Sequence, residues 1–208
     1  MVSPITIAVR EIKCIEETNE VGSDEPYVLV VGVNLKPIVP NVEAVLYGVW
    51  DDVDTGETHG TVPVPPNFPP NVLDAIPLVW RKPFWGLNGQ PAAINNPDDV
   101  IFLVALMEND DGKPKAARGL VKGAVVASLA SSTQESRAVR IQKLIADMNS
   151  ALAIPTGAPN FDDQVGSAQE LRLTSQDLSL ASTGVHTKSL RFAGDGGKYD
   201  VVFELKKG

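Results

Sequence analysis

The run from Val100 to Met107 is the sequence feature that most constrains the fold of this chain. Its eight consecutive residues are all apolar, and several are β-branched or aromatic. A run of this length is too short for a typical helix and predicts a β-strand. The acidic turn Glu108-Asn109-Asp110-Asp111-Gly112 follows at once, so the predicted strand ends in a group of carboxylates.

Other apolar segments also begin or end at acidic turns. Tyr27–Leu35 suits a central strand and follows Gly22-Ser23-Asp24-Glu25-Pro26, whereas Val42–Trp50 suits a third strand and precedes the acidic segment 51–57. Further strands are predicted from shorter or alternating patterns, at Ile5–Arg10, Ile12–Ile15, Pro77–Trp85, Glu170–Thr174, Ser189–Phe192 and Tyr199–Leu205. Gly194-Asp195-Gly196-Gly197 predicts a hairpin turn between the last two.

Two helical segments are predicted between residues 116 and 153. Ala116–Ala130 is rich in alanine and leucine, and a second helix is expected to open with Ser132 and Glu135 as a capping box. Pro155-Thr156-Gly157 should end that helix. Its apolar residues recur at helical spacing on one face, and they are Ile141, Leu144, Ile145, Met148 and Leu152.

Together these elements predict a mainly β protein. We expect an antiparallel β-sandwich of about eight strands, in one domain over residues 1–208, with a helical insertion at about 116–153. The hydrophobic content of 43% is sufficient for a full core. The proline-rich segment Thr61–Pro70 is expected to be an extended loop or a sheet edge, because proline cannot donate to a ladder.

The charge balance excludes some classes of partner. With 18 Lys and Arg against 26 Asp and Glu, the net charge is −8, and a general nucleic-acid binder would need a basic surface instead. Cys14 is the one cysteine, so an intrachain disulfide is impossible, and we expect its side chain to be buried. The sequence shows no signal peptide and no apolar run long enough to span a membrane, which predicts a soluble protein.

The acidic turns predict a cation site. Carboxylates crowded into short glycine-containing turns repel one another, and a bound hard cation is the simplest way to stabilise them. Flexible loops rich in oxygen ligands are typical of Ca²⁺ sites, in which six to eight oxygens surround the ion. The acidic segment 51–57 and Asp195 are interpreted as turns rather than ligands.

Three of these turns resemble the calcium- and phospholipid-binding C-two domain of the protein kinase C and synaptotagmin type. Gly22-Ser23-Asp24-Glu25-Pro26-Tyr27-Val28 is similar to the Gly-x-Ser-Asp-Pro-Tyr-Val signature of that family, with Glu25 inserted. Asp162-Asp163-Gln164-Val165-Gly166 resembles its Asp-Asp-Phe-Ile-Gly turn, and the turn after Met107 resembles the entry to its third calcium loop. That loop is short in the family, whereas about 50 residues separate Asp111 from Asp162 here.

The resemblance implies a sandwich whose loops gather carboxylates at one end around Ca²⁺. The predicted function is therefore a non-enzymatic, calcium-dependent module that recognises a phospholipid membrane or a protein partner. The predicted metal ligands are Asp24, Glu25, Glu108, Asp110, Asp111, Asp162 and Asp163.

Two alternatives remain open from the sequence. The helical insertion could rearrange at a membrane, as in a secreted toxin or effector. Trp80 and Trp85, beside Asn88 and Gln90, could stack on a sugar ring, as in a carbohydrate-binding or carbohydrate-active protein.

Overall fold

The computed structural model describes residues 3–20, 22–64, 77–85, 92–110, 112–157 and 162–208. Strand residues outnumber helical residues, so the chain is mainly β, as predicted. Within these ranges the strands are β1 (Ile5–Glu16), β2 (Pro26–Asn34), β3 (Asn41–Gly48), β4 (Thr58–Gly60), β5 (Val62–Pro63), β6 (Trp80–Arg81), β7 (Val100–Glu108), β8 (Asp163–Gln164), β9 (Gln169–Glu170), β10 (His186–Gly194) and β11 (Gly197–Lys207). The helices are α1 (Pro114–Ser131), α2 (Arg137–Leu152) and α3 (Ser175–Thr183).

One antiparallel sheet has the strand order β10-β11-β1-β4. Strands β10 and β11 form the predicted hairpin, whose turn lies between Gly194 and Gly197. Asp195 and Gly196 both have positive φ, of 51° and 77°, which two-residue hairpin turns of the primed type require. Strand β1 pairs with β11 along its length and ends opposite Lys198, so the end of β1 lies beside the hairpin turn.

The second antiparallel sheet has the order β3-β2-β7-β8, and β9 also pairs with β7. Strand β2 lies between β3 and β7 and is almost wholly buried, which explains its continuous apolar sequence. Strand β7 is also buried throughout. The proline-rich segment contributes only the short strand β5, which pairs in parallel with β6, and its residues 65–70 lie outside the described ranges.

Alternating side chains of the second sheet enter two different cores. Val28 and Val30 of β2 pack with Ile7 and Phe203 of the first sheet. Leu29, between them, packs on the opposite face with residues of α1 and α2. Successive side chains of a strand point to opposite faces, so the second sheet is the middle layer between the first sheet and the helical pair.

The helical pair lies between β7 and β8 in the chain and matches the predicted stretch closely, except that α1 begins at Pro114, two residues earlier. The predicted apolar stripe of α2 is confirmed, because Ile141, Leu144, Met148 and Leu152 are buried and Ile145 packs beside them. These side chains contact the sheet core. None of the helices in the described ranges has the length and hydropathy of a membrane-crossing segment.

The predicted capping box at Ser132 and Glu135 is wrong. Ser132 ends α1, and its hydroxyl donates to the carbonyl of Ser128 at 2.8 Å. Helix α2 begins after Ser136, whose hydroxyl accepts from Val139 N–H at 3.4 Å. The polar segment is therefore the turn between two antiparallel helices.

The predicted strand at Glu170–Thr174 is also mostly wrong. Gln169 and Glu170 pair with β7, the Leu171 N–H donates to the Phe102 carbonyl at 2.8 Å, and α3 then begins at Ser175. Thr174 and Asp177 form a reciprocal capping box at its first turn, a pattern that is readable in the sequence.

We expect Leu144→Ala to destabilise the protein by about 2–5 kcal/mol, because it opens a cavity between α2 and the second sheet. The exposed neighbour Gln142→Ala is the matched control, and its free energy of unfolding should stay within about 0.5 kcal/mol of the parent value. Urea unfolding measures both. Equal stabilities for the two variants would contradict the packing of α2 on the sheet.

Candidate metal centre

Four chain segments bring carboxylates together at one end of the two sheets. The pairing of β2 with β7 places Pro26 opposite Glu108, and the pairing of β7 with β8 places Asp163 opposite Glu108. The loop between β1 and β2 carries Glu20, and Asn19 N–H donates to the carbonyl of Asp195 at 3.2 Å. The hairpin turn of the first sheet therefore lies against this loop.

Two groups of three carboxylates result, and they share Glu20. One group is Glu20, Glu108 and Asp110, and the other is Glu20, Asp163 and Asp195. Within each group, one oxygen from every residue lies within 4.8 Å of the others. Carboxylate oxygens at such separations can share a hard cation such as Ca²⁺.

Glu108 is the most constrained of these carboxylates, because its side chain is only 3% exposed at the end of β7. Its Oε1 accepts the Glu25 N–H at 3.0 Å, whereas its Oε2 is buried and has no hydrogen-bond partner in the described part of the chain. The pKa of Glu108 is raised to about 8, chiefly by burial and also by the neighbouring charges of Glu20 and Asp110, whereas the hydrogen bond from Glu25 N–H opposes the rise.

The pKa values of Glu20 and Asp163, two carboxylates at the same end of the sheets, are also raised. Burial raises the pKa of Glu20, and the charges of Asp110, Asp163 and Asp195 add to the rise. Burial also raises the pKa of Asp163, with a further contribution from Asp195. Proton or cation binding relieves this kind of repulsion. The buried, unpartnered oxygen of Glu108 and the oxygen-only donor set thus fit a hard cation.

Asp24 belongs to neither group, although the sequence predicted it as a ligand. Its carboxylate is buried and accepts the Thr18 N–H at 2.9 Å, the Thr18 hydroxyl at 2.7 Å and the Tyr199 hydroxyl. Its backbone also pairs with Val53. Asp24 thereby holds the loop that carries Glu20 against the first sheet, which is a positioning role.

Tyr199, which donates a hydrogen bond to Asp24, also interacts with the buried thiol of Cys14. Cys14 is 3% exposed, as its sequence context predicted, and burial raises its pKa, while a hydrogen bond with Tyr199 opposes that rise. The thiol is therefore part of the core beneath the acidic end.

Glu25 and Asp162 are also outside the two groups. Glu25 accepts a hydrogen bond from the Asn109 side chain at 3.1 Å. Asp162 accepts from the Tyr27 hydroxyl at 2.6 Å, on the side of the sheet that the helices cover. Asp163 is paired with Glu108 in the sheet, whereas Asp162 precedes β8 and contacts Tyr27 on the helical side. Asp111 lies outside the described residues.

Glu20 was not among the predicted ligands, and Asp195 was interpreted from the sequence as a turn residue. Asp195 does lie in the predicted hairpin turn, and a turn residue can also face a neighbouring loop. Glu20 lies in a polar segment without a motif of its own. Segment 51–57 is a turn as predicted, in which Asp54 N–H donates to the Glu57 carboxylate at 3.2 Å.

The buried position of Trp85 contradicts its predicted role in stacking on a sugar ring. Trp85 is 5% exposed, its indole N–H donates to the Ala92 carbonyl at 2.9 Å, and its ring centroid lies 5.5 Å from that of Phe102. The ring is part of the core and offers no free face. Trp80 is half-buried in β6, and Asn88 and Gln90 lie outside the described residues.

Comparisons with protein-family models, with curated proteins and with solved structures find no match to this chain.

We expect Tyr199→Phe to lower the free energy of unfolding by about 1–3 kcal/mol, because it removes a donor from the buried Asp24 carboxylate. Lys198→Ala, at the half-exposed neighbouring position, serves as the control and should change stability much less. Urea unfolding compares the two. A Tyr199→Phe protein as stable as its parent would show that this hydrogen bond does not hold the loop.

Without divalent cations, Glu108→Gln should stabilise the protein increasingly as the pH rises from 4.5 to about 8. The folded-state pKa of Glu108 lies above its ordinary value, so the stability due to its protonated form is complete below pH 4.5 and is lost as the pH rises through about 8. Glutamine stays neutral over this range.

Melting temperatures in EDTA across this pH range measure the effect. Glu135→Gln, which removes the same charge from an exposed position, is the matched control. If both variants differed from the parent by the same amount at every pH, Glu108 would not be a destabilised buried carboxylate.

Proposed function

We propose that this protein is a non-enzymatic Ca²⁺-binding β-sandwich module whose acidic end recognises an anionic surface. The observation that carries the proposal is the Glu108 side chain, whose buried Oε2 has no hydrogen-bond partner in the described residues and whose neighbours are Glu20 and Asp110. Two antiparallel sheets that share a core support a C-two-like sandwich.

The donor set supports Ca²⁺ over softer metals. The two groups contain carboxylates only, and Cys14, the one thiol, is buried in the core with Tyr199. Zinc and copper sites typically include imidazole or thiolate ligands, whereas oxygen-only sites suit Ca²⁺ and other hard cations. An ion in the first group would be held by Glu20, Glu108 and Asp110, and an ion in the second by Glu20, Asp163 and Asp195.

Bound calcium would change the charge of this end of the protein. Five carboxylates repel an anionic membrane, but a divalent cation among them lowers the local negative charge and can also accept oxygen ligands from a phosphate group. Calcium-dependent contact with phospholipid headgroups is therefore the partner interaction that we propose. It agrees with the resemblance to the C-two domain.

Isothermal titration of Ca²⁺ into EDTA-treated and desalted protein tests the site. We expect binding, a rise in melting temperature, and an affinity at least about tenfold lower in Glu108→Gln or Glu20→Gln than in the parent protein. The exposed change Glu135→Gln should leave the affinity unaltered. If the parent gave neither heat nor thermal stabilisation with Ca²⁺, the proposal would fail.

Co-sedimentation with vesicles tests the partner separately. Vesicles that contain phosphatidylserine should bind the protein in Ca²⁺ and release it in EDTA, and vesicles of phosphatidylcholine alone should bind it much less. Calcium binding without vesicle binding would contradict the proposal of a lipid partner but not the proposal of a metal site.

A further inference from the structure

A pocket of about 430 Å³ lies on the helical side of the second sheet, where α2 ends and β8 begins. Its apolar wall includes Met107, Ala117, Leu152 and Ile154. A volume of this size is that of a small organic ligand site and is far larger than a bare metal ion needs.

The polar end of the pocket is formed by Tyr27 and Asp162. The Tyr27 hydroxyl donates to Asp162 Oδ2 at 2.6 Å, and Asp162 Oδ1 is buried without a hydrogen-bond partner among the residues that the structure describes. Asp162 and Asp163 both line the pocket, so this end is acidic and would stabilise a cationic group.

Gly112 is closely fitted to this carboxylate. A Cβ atom at Gly112 would lie only 1.7 Å from Asp162 Oδ1, so this approach requires glycine. The Asp162 carboxylate is thus confined by the Tyr27 hydroxyl and by the Gly112 backbone at the wall of the pocket.

The charge of the pocket indicates the class of ligand. The described lining residues include Asp162 and Asp163 but no lysine, arginine or histidine, so an anionic ligand would be repelled. A metal ion alone would leave the apolar wall uncovered. We propose that this pocket binds a small primary amine, with its ammonium group at Asp162 and its alkyl chain against Met107, Leu152 and Ile154.

This site is centred on a different carboxylate from the proposed calcium site, although Asp163 both lines the pocket and belongs to one of the two carboxylate groups. Asp162 belongs to neither carboxylate group, and its hydrogen bond to Tyr27 lies on the helical side of the sheet. Amine binding should therefore persist in EDTA, so a failure of the calcium proposal would leave this one testable.

Isothermal titration of n-hexylamine at pH 7, in EDTA, tests the proposal, with 1-hexanol as the neutral analogue of equal length. We expect hexylammonium to bind at least about tenfold more tightly than hexanol, because of the charge-assisted contact with Asp162. From butylamine to hexylamine, affinity should increase roughly fourfold per methylene, the ratio that corresponds to burial of one CH₂ group. No binding at millimolar amine, or equal affinity for the alcohol, would overturn the proposal.

Asp162→Asn is the most direct variant, because asparagine keeps an acceptor for the Tyr27 hydroxyl and removes the charge. It should weaken hexylammonium binding at least about tenfold and leave hexanol binding unchanged. Glu135→Gln controls for the loss of one charge at an exposed position. Unchanged amine affinity in folded Asp162→Asn would refute the role of this carboxylate.

Ile154→Ala provides a second variant that should fold, since Ile154 is half exposed. It should weaken hexylammonium binding several-fold and have little effect on methylammonium, which is too short to reach the apolar wall. Equal losses for both amines, or no loss for either, would contradict the placement of the alkyl chain.

Discussion

The antiparallel pairing of β2 with β7 is the constraint on which the rest of this structure depends. It runs without interruption from Pro26 opposite Glu108 to Asn34 opposite Val100. Both strands are buried on both faces, so neither could exist without the first sheet on one side and the helical pair on the other. The same pairing sets Glu25 and Glu108 side by side, where the Glu25 N–H donates to the Glu108 carboxylate.

The acidic end shows two ways of burying a carboxylate. Asp24 has three donors, from Thr18 and Tyr199, and these hydrogen bonds replace the water that it loses. Glu108 is just as deeply buried, yet one of its oxygens has no protein partner in the described ranges and its neighbours are also acidic. A fold that tolerates such a group sacrifices stability locally, which is typical of binding sites.

Much of the fold was predictable because its signals are local. The alternation from Tyr199 to Leu205, the stripe of α2 and the Gly194–Gly197 turn each need only a few neighbouring residues to be recognised. Helix α3 was missed because its apolar pattern is weak, although the Thr174 and Asp177 capping signal was present. The start of α2 was misplaced because Ser132 and Ser136 both precede helical sequence, and only helix packing distinguishes them.

The sequence by itself determined that the chain forms β-strands with acidic ends, because strand propensity and side-chain alternation act within each segment. Only the tertiary structure decided which carboxylates meet. Strand register brought Glu108 and Asp163 together, loop and hairpin contacts added Glu20 and Asp195, and Asp162 contacts Tyr27 on the other face. The physical reason is that electrostatic coupling depends on distance through space, and that distance is set by pairings between segments remote in the chain.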